Sequence, residues 1–68
     1  MKIKDDVDFV RAEIKAMWPE MDPLLVSLWL RECGVRVNNI VWEDENIAVC
    51  SLPGLDFVSF PKSCIEGI

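Results

Sequence analysis

The first part of the chain repeats apolar residues with the period of an α-helix. Between residues 5 and 18 one side of a helical wheel is apolar and the other is charged. Asp5 or Asp6 can cap the first turn, and Pro19 ends the pattern. The spacing predicts an amphipathic helix over about residues 5–18, with Phe9 outside the apolar stripe. The stripe consists of Val7, Val10, Ile14, Met17 and Trp18.

A second helix is indicated by residues that favour helix ends. Asp22 suits the N-cap, Pro23 the first helical position and Gly34 the C-terminal stop, which predicts a helix over about residues 23–33. Apolar side chains cover more than half of its wheel, so we expect it to be the most buried helix; a dimer interface is the alternative. These side chains are Leu24, Leu25, Val26, Leu28, Trp29, Leu30 and Cys33.

After Gly34 the apolar period changes to two, and β-branched and aromatic residues become frequent. Glu43 to Asn46 can close one hairpin and Pro53-Gly54 the next, while Asn38-Asn39 marks a bulge or an extra turn. The sequence thus predicts three strands followed by a short tail over residues 61–68. The strands cover about residues 35–42, 47–52 and 55–60.

Together these elements predict a single small α+β domain with the order α-α-β-β-β. Its two N-terminal helices pack on one face of a three-stranded antiparallel meander, because a sheet with one apolar face needs a second layer. Trp18, Trp29 and Trp42 fall at inward positions of the pattern. We therefore interpret all three as core residues rather than as interface residues, although Trp is frequent in both.

The loop lengths determine which strand residues share a face. A two-residue loop at Pro53-Gly54 pairs Cys50 with Phe57, and a four-residue first loop pairs Trp42 with Ile47. We expect the resulting inner face to lie on the helices, so that Trp42→Asp unfolds the chain. A shift of one residue would exchange the faces. The inner face consists of Ile40, Trp42, Ile47, Val49, Val58 and Phe60.

The opposite face stays uncovered in this arrangement, because two helices can cover only one face of the sheet. Its large apolar residues cluster at the second turn and form a candidate partner surface, on which Phe57→Asp should be tolerated. The acidic hairpin tip either contacts a basic partner or is simply solvated. The candidate binding residues are Leu52, Leu55, Phe57, Phe9, Glu43, Asp44 and Glu45.

The composition limits which functions the chain can have. The 68 residues include 12 acidic and 7 basic side chains, a net charge of −5, which disfavours binding to nucleic acid. The chain has no histidine and no glycine-rich phosphate loop, so we expect no metal, no cofactor and no histidine-based catalysis. It shows neither a signal-peptide core nor an apolar run long enough for a membrane span, and we expect a cytoplasmic location.

Cys33, Cys50 and Cys64 are odd in number and widely spaced, which is typical of reduced thiols rather than of a disulfide framework. Cys64 follows Lys62 in the tail, where we expect it to be the most exposed thiol and the only candidate nucleophile. No general base lies beside it in the sequence. A thiol-dependent enzyme or redox sensor is therefore the weakest hypothesis.

The features that remain favour a non-enzymatic protein-binding module, for example an inhibitor, an adaptor or an immunity-type protein. In size and charge the chain is like small acidic proteins of phages and mobile elements, which is an analogy without a motif. The partner we expect is another protein, and a basic surface would suit it. A homodimer or larger structural assembly is the alternative.

Overall fold

The computed structural model describes residues 1–67 and confirms the α+β architecture, with two helices followed by a three-stranded antiparallel sheet. The helices are α1 (Val7–Met17) and α2 (Pro23–Leu30). The sheet has the order β2 (Asn39–Glu43), β3 (Ile47–Leu52) and β4 (Leu55–Pro61). Two short strands, β1 (Lys2–Ile3) and β5 (Ile65–Glu66), and a 3₁₀ turn at Lys62–Cys64 complete the fold.

Both helices begin at the aspartates that the sequence indicates. Asp6 accepts a hydrogen bond from the backbone N–H of Phe9 at 3.0 Å, and Asp22 accepts one from that of Leu24 at 2.8 Å. α2 ends three residues earlier than predicted, at Leu30, because the next residues form tighter i to i+3 bonds. Gly34 then adopts φ +82°, and its N–H donates to the carbonyl of Ile3.

The two ends of the described chain pair with each other. β1 pairs antiparallel with β5, with Ile3 opposite Ile65, and its other side bonds to Val35 and bridges to Arg36. The predicted strand over 35–42 therefore begins only at Asn39. Residues 61–66 of the expected tail form the end of β4, the 3₁₀ turn and β5, while Ile68 lies outside the described residues. Val35 and Val37 bond to Ile3 and Met1 instead of to β3, which delays the strand, and burial of Cys64 and Ile65 in the core fixes the tail.

Both hairpins contain an irregularity that moves their register. In the second hairpin Leu52 pairs with Leu55 as predicted, but Cys50 pairs with Val58 instead of Phe57. In the first hairpin Trp42 pairs with Val49 instead of Ile47, because Asp44 N–H donates to the Ile47 carbonyl and leaves a two-residue loop instead of the predicted four residues. A register shift then follows between Trp42 and Ile40. Each extra residue moves the following side chains by one position.

The register shifts correct the predicted faces of the sheet. Leu52 is only 1% exposed and belongs to the core, whereas Trp42 is 55% exposed and lies outside it. Phe60 and Val58 point inward as predicted, because the bulge restores β4 to the expected phase. The core consists of Ile3, Val10, Ile14, Val26, Val37, Ala48, Cys50, Leu52, Phe60, Cys64 and Ile65.

Candidate functional site

Helix α2 is attached to the sheet along one side only. The Trp29 indole Nε1–H donates to the carbonyl oxygen of Ser59 at 2.8 Å, and its ring meets Phe60 edge to face at 6.5 Å between centroids. Val26 is the one residue of α2 that is buried. The opposite side of the helix therefore faces outward, and the expectation that α2 is the most buried helix is wrong.

The outward side of α2 carries a row of leucines. Leu24 is 75% exposed, and Leu25 and Leu28 are also exposed. Leu28 lies one turn after Leu24 and Leu25, so the three side chains share a helix face. The sequence could not separate this arrangement from a buried helix, because nearly every residue of α2 is apolar.

A groove of about 370 Å³ separates the end of α2 from the second hairpin. Apolar side chains make up both walls, and two charged residues lie where the helix ends. The α2 side consists of Leu28, Trp29, Arg31 and Glu32, and the hairpin side of Leu55, Phe57 and Val58.

Phe57 has an unusual backbone conformation. It is the only non-glycine residue among 1–67 with a positive φ, at +60° in the bulge, and its side chain is 73% exposed. A bulky L-residue in this left-handed region costs about 1–2 kcal/mol relative to right-handed backbone. Burial of the ring compensates little of this cost, so the isolated domain gains little from having Phe at this position.

The exposed apolar side chains of α2 and the hairpin form one continuous area, which we call the α2–hairpin surface. It presents on the order of 500 Å² of apolar area, near the upper end for the largest patch on a monomeric protein. Patches of this size and position are typical of interaction sites. The surface consists of Leu24, Leu25, Leu28, Leu55 and Phe57 together with the groove between them.

The sequence segments that carry this surface hold mostly negative charge. Residues 20–32 and 52–57 contain four carboxylates and one guanidinium, a net charge of −3. Within residues 1–67 none of these carboxylates forms an ion pair, whereas other carboxylates pair with Lys2, Arg11 and Lys62. Of the charged residues in these segments, Arg31 and Glu32 line the groove and Asp22 caps the far end of α2. The Asp56 carboxylate accepts a hydrogen bond from the Ser51 hydroxyl at 3.3 Å, on the face of the sheet opposite the buried Cys50 and Leu52.

The acidic hairpin tip lies away from this surface. Glu43, Asp44 and Glu45 stand at one end of β3 and the Pro53-Gly54 turn at the other, about 20 Å apart for a six-residue strand. Asp44 Oδ1 accepts hydrogen bonds at 2.8 Å from the backbone N–H groups of Ile47 and Asn46, which lower the pKa of Asp44. The tip is therefore organised as a turn and is not brought next to Leu55 or Phe57.

Lys62 bonds to the acidic tip, so the tip also has a structural role. Its ammonium lies 3.5 Å from the Glu43 carboxylate and donates to the Asp44 carbonyl oxygen at 3.2 Å. Its backbone N–H donates to the carbonyl of Asn46 at 2.8 Å. These bonds join the tip to the end of β4.

The remaining predicted binding residues have separate positions. Leu52 is a core residue, so the expectation that it is exposed is wrong. Phe9 is partly exposed on α1, where the Lys4 ammonium lies 4.5 Å from its ring centroid, and it does not line the groove. Of the predicted apolar residues, the structure brings Leu55 and Phe57 together at the groove.

The three cysteines are free thiols with raised pKa values. Cys64 is fully buried, and desolvation, followed by the nearby Glu13 carboxylate, raises its pKa to about 11. Burial also raises the pKa of Cys50 and Cys33. The expectation that Cys64 is the most exposed thiol is wrong, because the ordered tail packs it into the core.

Two further observations concern the described part of the chain as a whole. Residues 1–67 bring no three potential metal-ligating side chains together. Neither α1 nor α2 has the length and hydropathy needed to cross a bilayer.

Comparison of the chain with protein-family models, with curated proteins and with solved structures finds no match.

Proposed function

We propose that this protein is a non-enzymatic cytoplasmic module that binds another protein through the α2–hairpin surface. The observation that carries the proposal is Phe57, a large aromatic side chain held in strained backbone and left 73% exposed beside an apolar groove. Strained, exposed residues of this kind are frequent at functional sites. An inhibitor, an adaptor and an immunity-type protein all work by such contact.

A partner that covers Phe57 gains more free energy from burying the ring than the backbone strain costs. In the free domain the strain has little compensation, since most of the ring is in water. A partner that covers the ring removes roughly 150 Å² of apolar area from water, which contributes about 3–4 kcal/mol to binding. This exceeds the strain, and aromatic side chains at the centre of an interface commonly contribute this much.

The second candidate is a structural protein that assembles with copies of itself. The leucine row on α2 favours it, because Leu24 and Leu28 are exposed one helical turn apart, as are the side chains through which a helix packs against a second copy. Light scattering after size exclusion over a concentration series separates the candidates. We expect a monomer; a dimer that Leu28→Lys dissociates would support self-assembly instead.

Affinity capture tests the proposal with matched variants. The wild-type protein, Phe57→Asn and Trp42→Ser are each used as bait in extract from the source cells, and retained proteins are identified by mass spectrometry. Any protein retained by the wild type is purified and its binding measured by calorimetry. We expect Phe57→Asn to lose this purified partner and Trp42→Ser to keep it; equal binding by both variants would refute the proposed surface.

A further inference from the structure

We infer that an extra residue in each outer strand of the sheet keeps the sheet edges from pairing with another chain. The protein therefore associates through side-chain surfaces rather than by adding strands to its sheet. The inference concerns the backbone of β2 and β4 and does not depend on the proposed function. Three observations support it, and they concern the position of the extra residues, the composition of β2 and the contacts of the β4 edge.

Both irregularities of the sheet lie in its outer strands. Ile40 and Trp42 are two positions apart in β2, but their partners on β3 are neighbours, so Val41 is an extra residue. Leu55 and Val58 are three positions apart in β4, whereas their partners on β3 are two positions apart. The central strand β3 alternates regularly between buried and half-buried residues. An extra residue bends an outer strand and interrupts its hydrogen-bond spacing, which opposes the addition of a further strand.

The outer side of β2 is the edge that most needs such protection. Within residues 1–67 no other strand pairs with it, and the side chains of Val41 and Trp42 are exposed. Residues 37–42 are six in a row without charge, proline or glycine, and they include Ile, Val and Trp, which favour strands. Such segments on an open edge are typical starting points of aggregation. Charged residues flank the segment at Arg36 and Glu43 but none lies within it, so the bulge at Val41 is what interrupts its middle.

The edge of β4 has a further form of protection. The Ser59 carbonyl oxygen accepts the hydrogen bond from the Trp29 indole Nε1–H at 2.8 Å, so α2 covers this part of the edge. The backbone of Phe57 is left-handed, with φ +60°, and does not continue the extended conformation that a ladder needs. β2 therefore depends more on its bulge than β4 does, and it is the edge on which the inference is tested.

Deletion of Val41 removes the bulge from β2 and leaves the residues of all four β2–β3 pairs in place. Val41→Ala is the matched control, because it shortens the exposed side chain and keeps the extra residue. Circular dichroism measures folding, and light scattering after size exclusion over a concentration series measures association. We expect the wild type and Val41→Ala to stay monomeric, and the folded deletion variant to rise in apparent mass about twofold or more with concentration.

Amide hydrogen exchange locates the contact in the deletion variant. Pairing through the edge predicts that the amides of residues 39–43 exchange more slowly at high than at low protein concentration. Slower exchange at residues 24–28 instead would show association through the leucine row of α2 and would overturn the inference.

The remaining outcomes also decide against the inference. A deletion variant that is folded and monomeric would show that the edge needs no bulge to stay unpaired. An unfolded deletion variant would show that the bulge serves folding rather than protection. Concentration-dependent protection of residues 39–43 in the wild type would show that the bulged edge pairs after all.

Discussion

Phe57→Asn tests the link between backbone strain and binding. Asn adopts left-handed backbone more readily than Phe, so the change relieves most of the strain of about 1–2 kcal/mol. Phe57 is 73% exposed, so about a quarter of its surface is covered, and losing that contact costs about 1 kcal/mol. We therefore expect a free energy of unfolding within about 1 kcal/mol of the wild-type value.

The stability assay is thermal unfolding followed by circular dichroism. A change of 1 kcal/mol shifts Tm by about 4–8 °C in a domain of this size, so the variant should unfold within that interval of the wild type. A fall in Tm of more than about 15 °C would show that the ring is part of the core and refute the reasoning.

The binding assay is calorimetry with the purified partner from the affinity capture. Losing a central aromatic contact of about 2 kcal/mol or more weakens binding roughly 30-fold. Phe57→Tyr keeps the ring in the same backbone and serves as the matched control, with binding within a few-fold of the wild type. Unchanged binding by Phe57→Asn would contradict the central role of this residue.

Three further predictions test other parts of the structure. Leu52→Ala should cost about 2–5 kcal/mol and lower Tm by 10 °C or more, whereas Leu55→Ala should change stability by less than about 1 kcal/mol but weaken binding of the purified partner. The reverse result would show that Leu52 is exposed, as loop length alone predicts. At pH 8 in the folded protein, alkylation followed by mass spectrometry should find Cys64 roughly 100-fold less reactive than in the unfolded chain, because its pKa is raised from 9.0 to about 11; fast labelling would contradict its burial. Asp44→Ala should lower Tm at pH 7, since the stabilisation from a lowered pKa is present above the ordinary value of 3.8 and is lost as pH falls through the lowered one; the difference should shrink as the pH is lowered below 3.8, with Glu45→Gln as the unaffected control.

The order and type of the main elements were predictable because they depend on local signals. Asp22 and Pro23 begin α2, and the Pro53-Gly54 turn joins β3 to β4, as the sequence indicates. These residues favour the same conformation whatever packs around them. The fold class follows from that order.

The faces of the sheet were not predictable from loop length. The bulge at Phe57 has no glycine or asparagine to mark it, and it reverses the positions expected for Leu52 and Cys50. The register alone explains why Leu52 lies in the core and Trp42, which was predicted there, does not. A single extra residue therefore decided which apolar residues stay exposed.

The candidate site was partly predictable. Leu55 and Phe57 were recognised from their place beside the turn, but the wall formed by α2 was not, because an apolar helix gives no sign of which side is covered. The contacts of Trp29 with Ser59 and Phe60 show which side of α2 faces the sheet. The structured ends of the chain were also missed, since two-residue strands leave no periodic pattern.

The most direct test of the binding surface is an NMR titration of the ¹⁵N-labelled protein with the purified partner from the affinity capture, read at the three tryptophan indole N–H signals. Trp29 lines the groove, whereas Trp42 lies on the other face of the sheet and Trp18 follows α1. We predict that the Trp29 signal shifts together with the amides of residues 24–32 and 55–58, while Trp18 and Trp42 stay in place. A shift centred on Trp42 and residues 43–45, with Trp29 unmoved, would contradict the proposed surface.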